Sequence, residues 1–302
     1  MSFEQTSATH PPTGIVFNAR RLLRRRASLV VGVLGLAIVL FCAAFAPLLT
    51  SYEVDGQDVL DRRQPPIWTK WTDPDSIATP EHVLGTDNLG RDYWTRLIYG
   101  ARISLIVGFA GALISGLIGT AIGVSAGYFG GRADLAANFI IQTRLSVPVM
   151  LVALASVTAF GGSLVLIIAL CGVFLWDRAA VVTRTVTRQI VTLDYVLAAK
   201  SIGLSNLAII LQVILPNLVT PLIIVLTLEM GQAILFEAAL SFLGLGVAPP
   251  APSWGLMLAE GKEDIFFAPW AITLPGAALF LLVLSTTLIG EGLQQGRERS
   301  SD

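Results

Sequence analysis

The stretch ISLIVGFAGALISGLIGTAIGVSA, residues 103–126, runs for 24 residues without a charged side chain. As a helix rising about 1.5 Å per residue it reaches about 36 Å, enough to cross the ~30 Å hydrocarbon core of a bilayer. Water is missing at that depth, so backbone N–H and C=O groups must pair within the segment, and a helix is what does this. The small residues of the stretch are ordered. Gly111, Ser115, Gly119, Gly123 and Gly127 recur every four positions and so share one helix face. In lipid, association depends on close packing, and small residues at this interval let two backbones approach. This face is expected to pack against another span or a partner membrane chain.

Working outward, five further apolar segments have the composition of membrane spans: 29–49, 135–160, a shorter 163–176, 218–242 and 270–289. The Gly161-Gly162 pair forms a natural hairpin between the third and fourth. Hydrophobic residues make up 54% of the chain and charged residues 14%, against roughly 25% charged in soluble domains. The expected fold is therefore all-α and integral to the membrane, with six transmembrane helices. Orientation follows from the basic residues. Arg20, Arg21, Arg24, Arg25 and Arg26 precede the first span with no acid among them, which places the N-terminus inside. The 50–100 connector then falls outside. It is rich in acids: Glu53, Asp55, Asp58, Asp61, Asp73, Asp75, Glu81, Asp87 and Asp92. Segment 241–269 also falls outside, and segment 181–217, with Arg184, Arg188 and Lys200 against Asp194, falls inside together with the C-terminus. The net charge of −1 says little, since the membrane separates the signs.

Several chemistries are excluded by pattern. Gly123-Val124-Ser125-Ala126-Gly127 matches the G-x-S-x-G nucleophile motif, but it lies inside an apolar helix, and the two histidines, His10 and His82, fall outside every span. No G-x-x-x-x-G-K-[ST] phosphate loop occurs, so nucleotide must be hydrolysed by another chain. Asp73-Pro74-Asp75 begins like a calcium loop, but Ala78 stands where glycine is needed and Leu84 where the bidentate glutamate belongs. Cys42 and Cys171 both fall inside spans, so neither a disulfide framework nor a metal site is expected. Ala44-Phe45-Ala46 resembles a leader-peptide cleavage site, but the preceding apolar run exceeds the usual ~7–15 residues and Pro47 follows directly. A retained first span is expected.

The polar stretch YVLAAKSIGLSNLAIILQVILPN, residues 195–217, reads as two short helices. Asp194 is placed to cap the first, Gly203 to end it in a left-handed turn, and Lys200 to meet the negative end of its dipole. Ser205 is placed to cap a second helix running to Pro216. Ala198 and Ala199 leave one side of the first helix nearly flat, suited to a groove on a partner.

The spacing of this stretch resembles the EAA loop of ABC-importer permeases: Glu-Ala-Ala, a glycine after three residues, and Ile-x-Leu-Pro after nine more. Those places hold Leu197-Ala198-Ala199, Gly203 and Val213-Ile214-Leu215-Pro216, with Leu197 where the pattern most often has glutamate. Two other segments, HVLGTDNLGRDYWTRLIYGARISL (82–105) and EAALSFLGLGVAPPAPSWGLMLAEG (237–261), look like the second permease of dipeptide, oligopeptide and nickel importers. The resemblance covers about residues 82–294. It implies the type I permease fold of ABC importers, divided as an N-terminal tail (1–28), a first transmembrane helix (29–49), an external connector (50–100), a core of five helices with a coupling loop at 181–217 (101–294), and a C-terminal tail (295–302). It further implies a non-catalytic subunit in a bacterial plasma membrane. The partners would be a sister permease, two ATPase subunits or one fused ATPase carrying ATP and Mg, and an external solute-binding protein. No nucleic acid is implied. Dipeptides or oligopeptides would be moved inward by alternating access, with nickel or another small solute as the other cargo class. Leu197, Ala198, Ala199, Lys200, Gly203, Leu215 and Pro216 would couple ATP hydrolysis to transport.

Charges within spans are costly and mark function or pairing. Arg144, Glu229 and Glu237 are candidates to line the pathway, Glu237 or Glu229 by meeting a substrate amine. The count of residues from the inner ends of their spans puts Arg144 and Glu229 at equal depth, so they are expected to pair. A secondary carrier, the reading from another class, would need internally repeated halves and broken mid-membrane helices, and no repeat is visible.

Overall fold

In the computed structural model, residues 14–298 are described, with side chains for 27–294. Residues 1–13 and 299–302, and the side chains of the arginines at 20–26, lie outside the described residues, as do those parts of the two tails. Twelve α-helices are present among the described residues, and no strand. They are α1 (Gly14–Ala44), α2 (Ala46–Leu49), α3 (Tyr93–Phe129), α4 (Gly131–Ser146), α5 (Val149–Phe160), α6 (Leu164–Phe174), α7 (Asp177–Val191), α8 (Asp194–Ser201), α9 (Asn206–Ile209), α10 (Leu215–Phe242), α11 (Trp254–Gly261) and α12 (Trp270–Glu298).

Five segments are long and apolar enough to cross a membrane: Ala27–Ala44, Tyr93–Phe129, Leu164–Val191, Asn206–Phe242 and Trp270–Gln294. The sixth is the pair α4 and α5, bent by 73° at its break. Pro148 explains the bend, because a residue before proline avoids the helical region, and Val147 is extended (φ −88°, ψ 121°). The expected third span is thus two helices at an angle. The fourth is longer than the expected 163–176, continuing from α6 through a break at Leu175–Trp176 into α7 and ending at Val191. Residues 14–28, expected as tail, are already helical.

α3 lies at the centre. Its glycine ridge faces α6 and α7 so closely that an added Cβ at Gly119 would sit 2.5 Å from the Trp176 carbonyl oxygen. At Gly123 it would sit 2.4 Å from the Ala180 carbonyl, and at Gly127 2.7 Å from that of Arg184. Nothing larger than hydrogen fits, and the C-terminal half of α3 and α7 form one packed unit. α10 covers another side of α3, where Gly108 meets Ile234 and Gly116 meets Leu226. α12 packs on α10 and α1, with Gly32 and Gly35 of α1 against Ser285.

Candidate functional site

The loop between α7 and α10 is built by short-range rules. Asp194 does not cap α8: the N-cap is the extended Leu193, without a side-chain bond, and Asp194 is the first helical residue. There its charge still favours the positive end of the helix. The far end is a Schellman motif. Gly203 takes φ +84°, its N–H bonds the Lys200 carbonyl at 3.1 Å, and the Leu204 N–H bonds that of Ala199 at 3.2 Å. The Ser205 hydroxyl accepts the Ala208 N–H at 3.3 Å and caps α9. The second helix does not stop at Pro216. It passes through a π-helical turn, Ile210–Ile214, into α10, and Pro216, which has no N–H to donate, directly follows that turn. The loop between α7 and α10 and the fifth span are therefore continuous.

α8 has two unlike faces. Val196 is fully buried with Ile209, Ile214 and Leu218 against Val124 and Tyr128 of α3. The two alanines expected on one flat side part company: Ala199 is half-buried against this cluster, and Ala198 is exposed. Leu215 packs at the edge of the cluster, while Pro216 is exposed. Tyr128 also ties the loop by polar contacts, donating its hydroxyl to Asn206 Oδ1 (2.8 Å) and lying under Lys200, whose Nζ is 5.2 Å from the ring. The outward face carries exposed Leu197, Ala198, Ile202 and Leu207. A short helix anchored on one side, with unpaired apolar residues on the other, is equipped to bind and carry a position.

Comparison with known proteins agrees with this geometry. Residues 119–299 match the family described as "Binding-protein-dependent transport system inner membrane component", and residues 18–66 match "N-terminal TM domain of oligopeptide transport permease C". The chain belongs to this family of ABC-importer permeases. A relative from Brucella suis biovar 1, named for peptide transport, is 38% identical over 293 residues, covering 96% of this chain and 94% of its own. The dipeptide transport system permease protein DppC of Alkalihalophilus pseudofirmus is 37% identical over 91% of this chain and 87% of its own. The glutathione transport system permease protein GsiD of Pectobacterium atrosepticum is 34% identical, with the same coverage of 91% and 87%.

Within the spans, the permease does not pair Arg144 with Glu229. Arg144 sits in the last turn of α4 and reaches Asp177 in the first turn of α7 (3.1 Å). Glu229 is buried and accepts the Ser115 hydroxyl (2.6 Å) and the Ala179 N–H (3.2 Å). The equal-depth estimate assumed a straight third span, and the bend at Pro148 breaks that assumption. Glu237 is fully buried, accepting the Ser241 hydroxyl at 2.6 Å through Oε1, while Oε2 has no partner. Ser125 turns its hydroxyl back to the Ala121 carbonyl (2.7 Å). His82 sits instead beside Asp92 (2.8 Å) at the other end of α3, roughly 50 Å away at ~1.5 Å per residue, so a hydrolytic pair does not form.

The permease also holds an ionic cluster at the N-terminal end of α3 that the sequence reading missed. Asp87 closes a tight turn by accepting the N–H groups of Leu89 (2.8 Å) and Arg91 (3.0 Å) through Oδ1. Its Oδ2 accepts Arg91 Nε (2.6 Å) and Arg96 Nη1 (2.5 Å). Glu260, from the end of α11, accepts Arg91 Nη2 (3.1 Å) and Arg96 Nη1 (2.6 Å). Both arginines and Asp87 are buried, and Glu260 is about a quarter exposed. The two segments that carried the resemblance, 82–105 and 237–261, thus meet in one salt-bridged unit. The Trp254 indole, donating to the Leu97 carbonyl at 2.8 Å, joins them a turn further along. The available signal was Arg96 itself, a charge at the start of a long apolar helix.

Proposed function

We propose that this permease moves short peptides inward across a bacterial plasma membrane as one half of a heterodimer with a sister permease. ATPase subunits, separate or fused, supply the energy with their bound ATP and Mg. An external solute-binding protein delivers the cargo, and this chain performs no covalent chemistry. The observation that carries the reading is α8, held by Tyr128 and Val196 on one side and presenting Leu197, Ala198 and Ile202 on the other. Binding of ATP draws the motor domains together, α8 moves with them, and its continuity with α7 and α10 passes the movement into the bundle. Peptide cargo is supported by relatives named for peptide, dipeptide and glutathione transport.

Uptake of a labelled dipeptide by cells carrying the intact transport system, compared with cells lacking this chain, tests the function. Loss of dipeptide uptake on deletion is expected. Unchanged dipeptide uptake with lost nickel uptake would reassign the cargo, and no change in either would sink the reading. The orientation, both termini inside, rests on the arginines at 20–26 ahead of the first apolar span and the acids after it. With Cys42 and Cys171 replaced by alanine, cysteines at the exposed positions Asp75 and Leu207 should react with an impermeant thiol reagent from opposite sides of the membrane. Labelling from the same side would overturn the six-span orientation.

A further inference from the structure

The fourth span is interrupted inside the membrane. α6 ends at Phe174 and α7 begins at Asp177; between them Leu175 closes α6 with its N–H on the Cys171 carbonyl (2.9 Å), and Trp176 opens α7 by accepting the Ala180 N–H (3.0 Å). A helix start leaves N–H groups without partners, and in a bilayer water does not supply them. α10 supplies the acceptor. Glu229, 2% exposed, places Oε1 on the Ala179 N–H (3.2 Å) and Oε2 on the Ser115 hydroxyl (2.6 Å). One side chain thus joins three helices, α3, α7 and α10, at the break. Two neighbours brace the same point. The Trp176 carbonyl lies against Gly119 of α3, and Asp177 is held by Arg144 from α4.

From this geometry we propose that Glu229 is a positioning residue: it latches the broken fourth span so that movement of α8 travels along α7 into α3 and α10. This deepens the coupling role proposed for α8 and rests on it. α7 runs directly into α8 through Thr192 and Leu193. A push on α8 therefore arrives at the Leu175–Trp176 break. With the latch closed, α7, the C-terminal half of α3 and α10 move as one body. With the latch open, the break flexes and the push is lost there. The latch needs a hydrogen bond to each of Ala179 and Ser115 and no net charge. In Glu229→Gln, the amide oxygen can accept the Ala179 N–H while its NH2 donates to Ser115, whose hydroxyl then donates to the Ala112 carbonyl already 3.0 Å away.

The test is the number of peptides moved per ATP hydrolysed by the assembled importer in proteoliposomes. Glu229→Leu should lower that ratio about tenfold, because the buried Ala179 N–H loses its acceptor and the link to Ser115 is lost with it, while Glu229→Gln should keep both the ratio and the peptide KM. A purely structural glutamate would lower the yield of complex and leave the ratio of the surviving complexes unchanged, and that result overturns the proposal. A raised peptide KM in Glu229→Gln with an unchanged ratio also overturns it, since it would place the carboxylate on the substrate. If Glu229→Leu fails to assemble, Ser115→Ala opens one arm only, and a ratio lowered about two- to threefold is expected for one lost hydrogen bond of ~0.5 kcal/mol. An unchanged ratio there would again overturn the latch. If the wild-type complex itself shows no link between ATP hydrolysis and uptake, the proposed coupling function fails first.

Discussion

Ala198→Arg is expected to reduce ATP-driven uptake by about tenfold or more while leaving insertion and the amount of permease unchanged, since added volume in a packed contact costs about 1–3 kcal/mol. Ala198 is exposed on the outward face of α8, beside Leu197 and Ile202. Its exposure among the described residues leaves room for a large side chain in the isolated subunit. The room disappears only when a partner covers the face. Ala199→Arg is the informative contrast. Ala199 is half-buried against the cluster containing Val196 and Ile209, so its substitution should loosen the loop itself and lower the permease level as well. Uptake with quantified membrane levels separates the two. Normal uptake by Ala198→Arg at normal level would remove the outward face of α8 from the coupling contact.

The difference between these alanines shows where the sequence stops being readable. Spacing alone placed α8, the glycine that ends it and the serine that starts α9, because caps and turns are local. Gly203 needs a positive φ, and only its own neighbours decide that. Which of two adjacent alanines looks outward depends on Tyr128 and Val124, some 70 residues earlier in the chain, and no local rule supplies it. The same holds for Pro216. It looked like a stop, yet the π-helical turn just before it shifts the hydrogen-bond register there and lets α9 run on into α10.

Depth and pairing show a second boundary. The glycine ridge was legible because its four-residue period needs only one helix, and the structure shows what fills it: carbonyls of Trp176, Ala180 and Arg184. Arg144 and Glu229 were matched by depth along two spans taken as straight. Pro148 bends one of them, and α7 offers both residues something nearer, a carboxylate for Arg144 and a free N–H for Glu229. Charge pairing is a property of neighbours in the membrane plane, which a count along the chain does not contain. Arg184 and Arg188 belong to the same lesson. They counted as inside charges for orientation, but Arg184 is clamped bidentately by Asp134, so the first turn of α4 is tied to the middle of α7 as well.

Asp87→Ala is expected to destabilise the permease by about 3–5 kcal/mol, the usual cost of breaking a buried ion pair from one side. It would be read as a loss of folded protein from the membrane and a lowered Tm in detergent. Asp87 does two things at once. Oδ1 closes the turn through the N–H groups of Leu89 and Arg91, and Oδ2 neutralises Arg91 and Arg96. Without it, two buried guanidiniums share Glu260 alone, and Arg96, only 1% exposed, cannot turn to water. Asp87→Asn separates the two roles, since its amide oxygen still accepts the turn N–H groups but its charge is gone. Glu260→Gln should be milder, because Glu260 is partly exposed and Asp87 still holds both arginines. Salt should do little to any of these differences, as ions screen buried pairs poorly. If Asp87→Asn is as stable as the unaltered permease, the charge is not what holds the N-terminal end of α3 to α11. The turn bonds and the Trp254–Leu97 contact would then carry that junction.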